Sequence, residues 1–181
     1  MPHVCPWWGG YFIDNRLRRF LHKPEMIVAP YVKQGTRVMD FGCGMGFFSI
    51  ALAKMVGDSG SVIAVDLQMR MLDVLQRRAL RTGVRDRIRT HQCEPDCIGV
   101  EVPVDLVLAF WSAHEVPDLE GFLWQIHACL RPDGKFLVAE PRGHVSAKSF
   151  DQMIVMAENI GMRVSGKPHI RMSRAIVFTR D

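Results

Sequence analysis

The sequence contains no run of eighteen or more apolar residues, so no segment reads as a membrane span. Its first residues, MPHVCPWWGGYF, lack the basic start and apolar stretch of a secretory signal. Cysteine is sparse. Cys5, Cys43, Cys93, Cys97 and Cys129 follow neither a disulfide-like nor a CxxC rhythm, and reduced thiols in a cytoplasm are the expectation. Internal repeats, low-complexity tracts and long linkers are missing as well. What is present has the profile of one soluble globular domain: 181 residues, 48% apolar and 23% charged.

The net charge of +4 is mild. Arg16, Arg18, Arg19, His22 and Lys23 form one basic cluster, and Arg77, Arg78, Arg81, Arg85, Arg87 and Arg89 form another. A solvated helix face accounts for each better than a nucleic-acid surface does, because no aromatic residues interleave with the arginines. Nucleic acid is therefore not an expected partner, and homodimer formation is left open.

From residue 37 onward, strand-like and helix-like segments alternate. Arg37–Phe41 is a short apolar run ending in glycines, and Phe47–Val56 then reads as a buried helix. Val62–Val65 is continuous and β-branched, as in a strand covered on both faces. Met69–Thr82 carries Leu72, Leu75 and Ala79 at helical spacing, with Gly83 placed to end it. Ile88–Gln92 and Val104–Phe110 read as strands, and Leu119, Phe122, Leu123, Ile126 and Leu130 form one helical stripe capped by Asp118. Pro132-Asp133-Gly134 predicts a turn and Lys135–Ala139 another strand. Ser146 could cap a helix built on Phe150, Met153, Ile154 and Ala157, closed by Gly161. Arg163–His169 and Ala175–Thr179 then read as two strands with no helix between them. The pattern is β-α repeated five times and then a hairpin, which predicts a doubly wound α/β sheet with a mixed edge. Residues 1–36 read as a small helical cap punctuated by Pro24 and Pro30, and 37–181 as the main domain.

The most informative segment is 38-VMDFGCGMGFFSI-50, with glycines at 42, 44 and 46 between a strand and a helix. A dinucleotide fingerprint would need glycine at 47, where Phe stands, and no Lys-Ser/Thr follows to make a phosphate-gripping loop. What remains is acid-x-G-x-G-x-G led by Asp40. A carboxylate there would repel a pyrophosphate and suit a ligand bearing positive charge. The glycines let the backbone pass close under a crowded ligand, and the helix N-terminus offers amides to a carboxylate. Asp66 ends the next strand, where it can accept hydrogen bonds from two ribose hydroxyls. An amino acid end, a ribose and a positive centre together describe S-adenosylmethionine.

VMDFGCGMG resembles motif I of the class I S-adenosylmethionine-dependent methyltransferases, and VIAVD resembles their second motif. PVDLVLAFWSAHEVPD and LRPDGKFLVAEP are similar to the family's strand-four and strand-five motifs, so the resemblance spans residues 37 to 180. It implies a Rossmann-like, seven-stranded, mostly parallel sheet with an antiparallel C-terminal hairpin. It also implies that Asp40, Gly42, Gly44 and Gly46 wrap the methionine part of the cofactor, that Asp66 holds the ribose, and that Leu67 and Met71 lie beside the adenine. Phe110, closing strand four, joins this cofactor set. The family has an acid-small pair after strand three, where this chain reads Gln92-Cys93-Glu94; Cys93 or Glu94 is the expected adenine contact.

Several polar residues compete for a role in the chemistry. His114-Glu115 is not a zincin motif, because position 118 is Asp and Pro117 precedes it. His91, Cys93 and Cys97 match no common zinc spacing, and no metal is expected. The resemblance sets His114 after strand four, on the edge where ligands bind in open α/β sheets; a plain backbone hydrogen bond ahead of Asp118 is the alternative. Glu140 ends strand five and His144 follows it on the same edge. A histidine is a suitable base for a hydroxyl or thiol nucleophile. His114 is the first candidate for that base, with Glu140 and His144 shaping the pocket. The segment with Cys5, Trp7 and Trp8 reads either as an aromatic lid or as a staple for the cap helix.

The expected activity is methyl transfer to a small, quinone-like or aromatic acceptor, as in the ubiquinone/menaquinone branch that HEVPD and LRPDG resemble. No Asn-Pro-Pro-Tyr type segment is present; Ala-Phe-Trp-Ser stands at 109–112 instead. The alternatives are an RNA or protein methyltransferase using the arginine clusters, and a non-catalytic domain that binds the cofactor.

Overall fold

The computed structural model describes residues 22–181. Seven strands form one sheet: β1 (Arg37–Phe41), β2 (Ser61–Asp66), β3 (Ile88–Gln92), β4 (Val104–Phe110), β5 (Leu130–Pro141), β6 (Met162–Gly166) and β7 (Ser173–Arg180). Their order is β3-β2-β1-β4-β5-β7-β6. The first five pair in parallel, and β7 runs antiparallel between β5 and β6. Among the described residues the helices are α1 (Pro24–Val28), α2 (Phe47–Val56), α3 (Met69–Arg81), α4 (Leu119–Cys129) and α5 (Ala147–Asn159), with single 3-10 turns at Arg85–Arg87 and Ala113–Glu115.

The buried face of each helix decides its side of the sheet. Val28 of α1, Leu52 of α2 and Leu72 and Leu75 of α3 share a core with Leu106 and Leu108 of β4. Phe122 and Ile126 of α4 and Phe150 and Met153 of α5 pack with Val107 and Ala109 on the other face. Successive side chains of a strand point to opposite faces, so β4 feeds both cores and reads as a continuous apolar run. Asp118 and Ser146 cap α4 and α5, accepting from the backbone N–H of Gly121 and Ser149 at 3.0 Å. Gly83 and Gly161 lie at φ 69° and 91°, the left-handed conformation that ends a helix most easily at glycine.

Three expectations are corrected. The expected five βα units are four, because residues 93–103 link β3 to β4 without a helix. That link is anchored as a loop: Ile98 is buried in the core and its N–H donates to Gln125 Oε1 at 2.7 Å. Pro132-Asp133-Gly134 is not a turn ahead of a separate strand over Lys135–Ala139 but a bulge within a longer β5. Val104 pairs with Leu130 and Leu106 with Lys135, and Asp133 takes φ 61° in the bulge. The strand expected over 163–169 ends at Gly166, two residues before Pro168, which has no N–H for the ladder. Of the expected 1–36 cap, the described part contains α1 with Pro24 at its start; Cys5, Trp7 and Trp8 lie outside the described residues.

The second arginine cluster is not only a solvated face. Arg78 Nη1 donates to the Met45 carbonyl at 3.1 Å, and Arg87 clasps the Ala53 carbonyl and Asp58. No helix among the described residues is long and apolar enough to cross a membrane.

Candidate functional site

Strand order reverses at β1 and β4, whose connections leave the sheet in opposite directions, and a crevice opens beyond their C-terminal ends. The crevice is a cavity of about 820 Å³, within the roughly 300–1,000 Å³ of small-molecule sites. Its walls are mostly apolar, with Phe47, Phe48, Phe110, Met45 and Met71 among them.

One end is built by the β1 and β2 loops. Gly42 and Gly44 have φ 66° and 52°, and both line the cavity. A Cβ on Gly44 would meet nothing within 4 Å, so that backbone borders open space. A Cβ on Gly42 would lie 2.3 Å from Ser112 Cβ. Ser112 in turn donates to the Phe41 carbonyl at 2.9 Å, locking the loop after β4 onto the glycine loop. Gly42→Ala should therefore destabilise the fold by about 1–3 kcal/mol through overpacking and left-handed strain, read as a lower melting temperature.

Asp66 is buried and borders the cavity. Its two oxygens accept the N–H of Gly44 at 2.8 Å and of Gln68 at 2.9 Å. A carboxylate oxygen can accept twice, which leaves capacity for hydroxyl groups in the cavity. Burial raises the Asp66 pKa above its ordinary 3.8, and the two backbone bonds oppose that rise. Asp40, also buried, accepts from Ser49 Oγ of α2 at 2.5 Å. Leu67, Met71, Cys93, Glu94 and Phe110 all line the cavity. Burial, with the charge of Asp66, pushes the Cys93 thiol up to about 11, so it is protonated at neutral pH. Gly46 is the exception among the expected cofactor residues. It caps α2 at φ 89° outside the cavity wall, and a Cβ there would strike Leu75 of α3 at 2.7 Å. Its role is the close approach of the two helices.

The other end is built by the β4, β5 and β7 loops. His114 and His144 line the cavity with their rings stacked, centroids 6.0 Å apart and planes 4° from parallel. Glu140 is buried behind His114, outside the cavity wall. One of its oxygens bonds His114 Nδ1 and the other accepts the Ala113 N–H at 2.9 Å. The hydrogen bond to Glu140 raises the His114 pKa above its ordinary 6.5; burial opposes the rise, and the charges of Glu140 and Glu115 add to it. Glu115 lies at the cavity wall as well. His91 does not join Cys93 and Cys97 in a cluster; its Nε2 bonds the Ile98 carbonyl at 2.9 Å.

Sequence reasoning passed over Ser49, Ser112, Trp111, Met172 and Ser173. Ser112 and Trp111 stand inside FWSAHEVPD, so the motif held a signal for them. Met172 comes from the turn before β7 and Ser173 opens that strand, and no local pattern marks them.

A crevice at the switch point, an acid on each of two adjacent strand ends and a glycine loop between them define an α/β domain built for an adenosyl ligand. The family model described as "methyltransferase domain" matches residues 32–171, and the chain belongs to that family, among the class I S-adenosylmethionine-dependent methyltransferases. The demethylmenaquinone methyltransferase of Lactobacillus johnsonii is 34% identical over 110 residues, covering 60% of this chain and 45% of that protein. The ubiquinone/menaquinone biosynthesis C-methyltransferase UbiE of Cellvibrio japonicus is 30% identical over 135 residues, covering 72% and 54%. The chain thus spans about half the length of these curated relatives. A methyltransferase structure from Aquifex aeolicus superposes with a TM-score of 0.86 over 98% of this chain and 100% of that one; at 21% identity it shows the fold. The family's cofactor is S-adenosylmethionine, and the residues present fit it. Asp66 has acceptor capacity for ribose hydroxyls, and the Gly44 backbone faces the open space that a bulky ligand needs.

Proposed function

We propose that the protein methylates a small, flat, apolar acceptor carrying an ionisable hydroxyl, such as a phenol or hydroquinone, through the domain formed by residues 37–181. S-adenosylmethionine, when bound, supplies an activated methyl group and leaves as S-adenosylhomocysteine. Glu140 holds the Nδ1 side of His114, so Nε2 is the nitrogen available to a bound acceptor. Neutral His114 takes up the hydroxyl proton at Nε2, and Glu140 stabilises the imidazolium that results. Glu140 is thus a positioning residue and His114 the catalytic base, while His144 forms the adjoining wall. The apolar walls exclude water from the acceptor's ring. Asp40, Gly42, Gly44, Asp66, Leu67 and Met71 hold the cofactor, with Phe110 beside them and Cys93 or Glu94 at the adenine. The names of the Lactobacillus and Cellvibrio relatives support a quinol-type acceptor.

The buried Glu140–His114 couple at the cavity wall carries this reading, because a domain that only binds its cofactor has no need of a base held in one orientation. The test is transfer of labelled methyl groups from S-adenosylmethionine to separate pools of phenols and hydroquinones, RNA, and protein. Label in the small aromatic pool is expected. Label in RNA or protein, or none anywhere despite tight cofactor binding, would sink the proposal.

A further inference from the structure

Three described residues other than glycine adopt a left-handed backbone: Trp111 at φ 62°, Asp133 at 61° and Met172 at 60°. Asp133 sits in the exposed β5 bulge, and aspartate visits this region readily. Trp111 and Met172 are bulky, and for such side chains the conformation is an outlier that persists only where the surroundings impose it. Both line the cavity.

Their two segments are tied together. Trp111 Nε1 donates to Ser173 Oγ at 2.9 Å, and its backbone N–H donates to the Ala139 carbonyl at 2.8 Å. Arg142 N–H donates to the Met172 carbonyl at 3.0 Å, and Arg142 Nε to the Ser173 carbonyl at 3.1 Å. The Ser173 N–H closes the turn onto Ile170 O at 3.1 Å. Ser173 is buried, yet the neighbouring Met172 is 56% exposed. This apolar side chain is neither buried in the core nor at ease in its backbone, but it stands at the wall of the cavity.

The order β2-β1-β4-β5-β7 puts four strand spacings, roughly 19 Å, between the Asp66 end and the start of β7. Met172 therefore belongs to the end that contains His114 and His144. We infer that Met172 is a specificity-determining residue for the acceptor, held at the mouth by the Trp111–Ser173 clamp so that its thioether contacts the acceptor's aromatic ring. A polarisable, unbranched thioether suits the face or edge of flat rings of varied outline. The inference rests on the proposed aromatic acceptor.

The probe is 2-naphthol, a flat phenol, measured by equilibrium dialysis against the full chain with S-adenosylhomocysteine present; melting temperature and S-adenosylhomocysteine binding are measured alongside. Met172→Gly relieves the left-handed strain and should melt about 2–4 °C higher. The same variant should bind S-adenosylhomocysteine as before and 2-naphthol about ten-fold more weakly. Met172→Leu retains the strain and the apolar bulk, so it should melt as the parent does and bind 2-naphthol within about three-fold. Unchanged 2-naphthol affinity in Met172→Gly, or a lower melting temperature, overturns the inference alone. A parent chain that binds S-adenosylhomocysteine but not 2-naphthol overturns the aromatic acceptor and, with it, this role for Met172.

Discussion

Turnover by the His114→Gln variant is expected to fall about a hundred- to ten-thousand-fold, the range lost when a positioned base is removed, with S-adenosylhomocysteine affinity kept. Cofactor binding is expected to survive because His114 sits at the end proposed for the acceptor, strands away from Asp66. Glu140→Gln gives the finer test. A base must be neutral to accept a proton, so activity should rise with pH through the His114 pKa, which lies above its ordinary 6.5 because of Glu140. Glutamine removes the leading cause of that rise. The ascending limb should then move to lower pH while the plateau drops. A merely structural Glu140 would lower the plateau and leave the limb in place. The stability linkage has a definite sign. Since the folded His114 pKa is raised, the pair's stabilisation is complete below 6.5 and is lost as pH climbs through the raised value.

The second large effect falls on Asp66. Asp66→Ala removes the acceptors of the Gly44 and Gln68 N–H groups together with those proposed for the ribose. Two hydrogen bonds to a charged group, each contributing about 1.5–3 kcal/mol, translate into a loss of cofactor affinity of roughly a hundred-fold or more. Calorimetric titration with S-adenosylhomocysteine reads it directly. In the parent chain the same affinity should weaken on acidification, and the weakening should begin at a higher pH than an ordinary carboxyl dictates, because burial raises the Asp66 pKa above 3.8. Affinity that stays flat across the acid range would remove Asp66 from the ribose site.

The sequence made some of this legible because the relevant physics is local. Val62–Val65 is apolar on both faces because both faces are covered, and Asp118 and Ser146 cap the helices they precede. The acid-glycine loop and Asp66 stand out because the ligand approach proposed for them would restrict residue type within one turn of chain. The count of five βα units overran the sequence, which offers no helical stripe between Gln92 and Val104; what the sequence does not show is that the Gln125 side chain pins this segment as a loop. The site's tertiary pairs were hidden for the same reason. Glu140 lies 26 residues from His114, Ser112 lies 70 from Gly42, and Ser173 lies 62 from Trp111, so each partner is chosen by strand order and not by spacing. Gly46 carries a second constraint that its motif does not announce, since a Cβ there would strike Leu75 of α3.

Strand order also divides the chain's labour along its length. The residues proposed to hold the cofactor run from 40 to 94, with Phe110 as the one later member. Those proposed for the acceptor run from 111 to 144 and add 172 and 173. The later part of the helix-free connection, residues 95–103, lies between the two sets and is a natural crossover point for chimeras. Joining the first part of this chain to the later part of a relative should transplant acceptor preference while leaving cofactor affinity behind, provided the donor keeps a serine at 112 to rest on Gly42. The same joint would let lineages of this family exchange acceptors by recombination without rebuilding the adenosyl site.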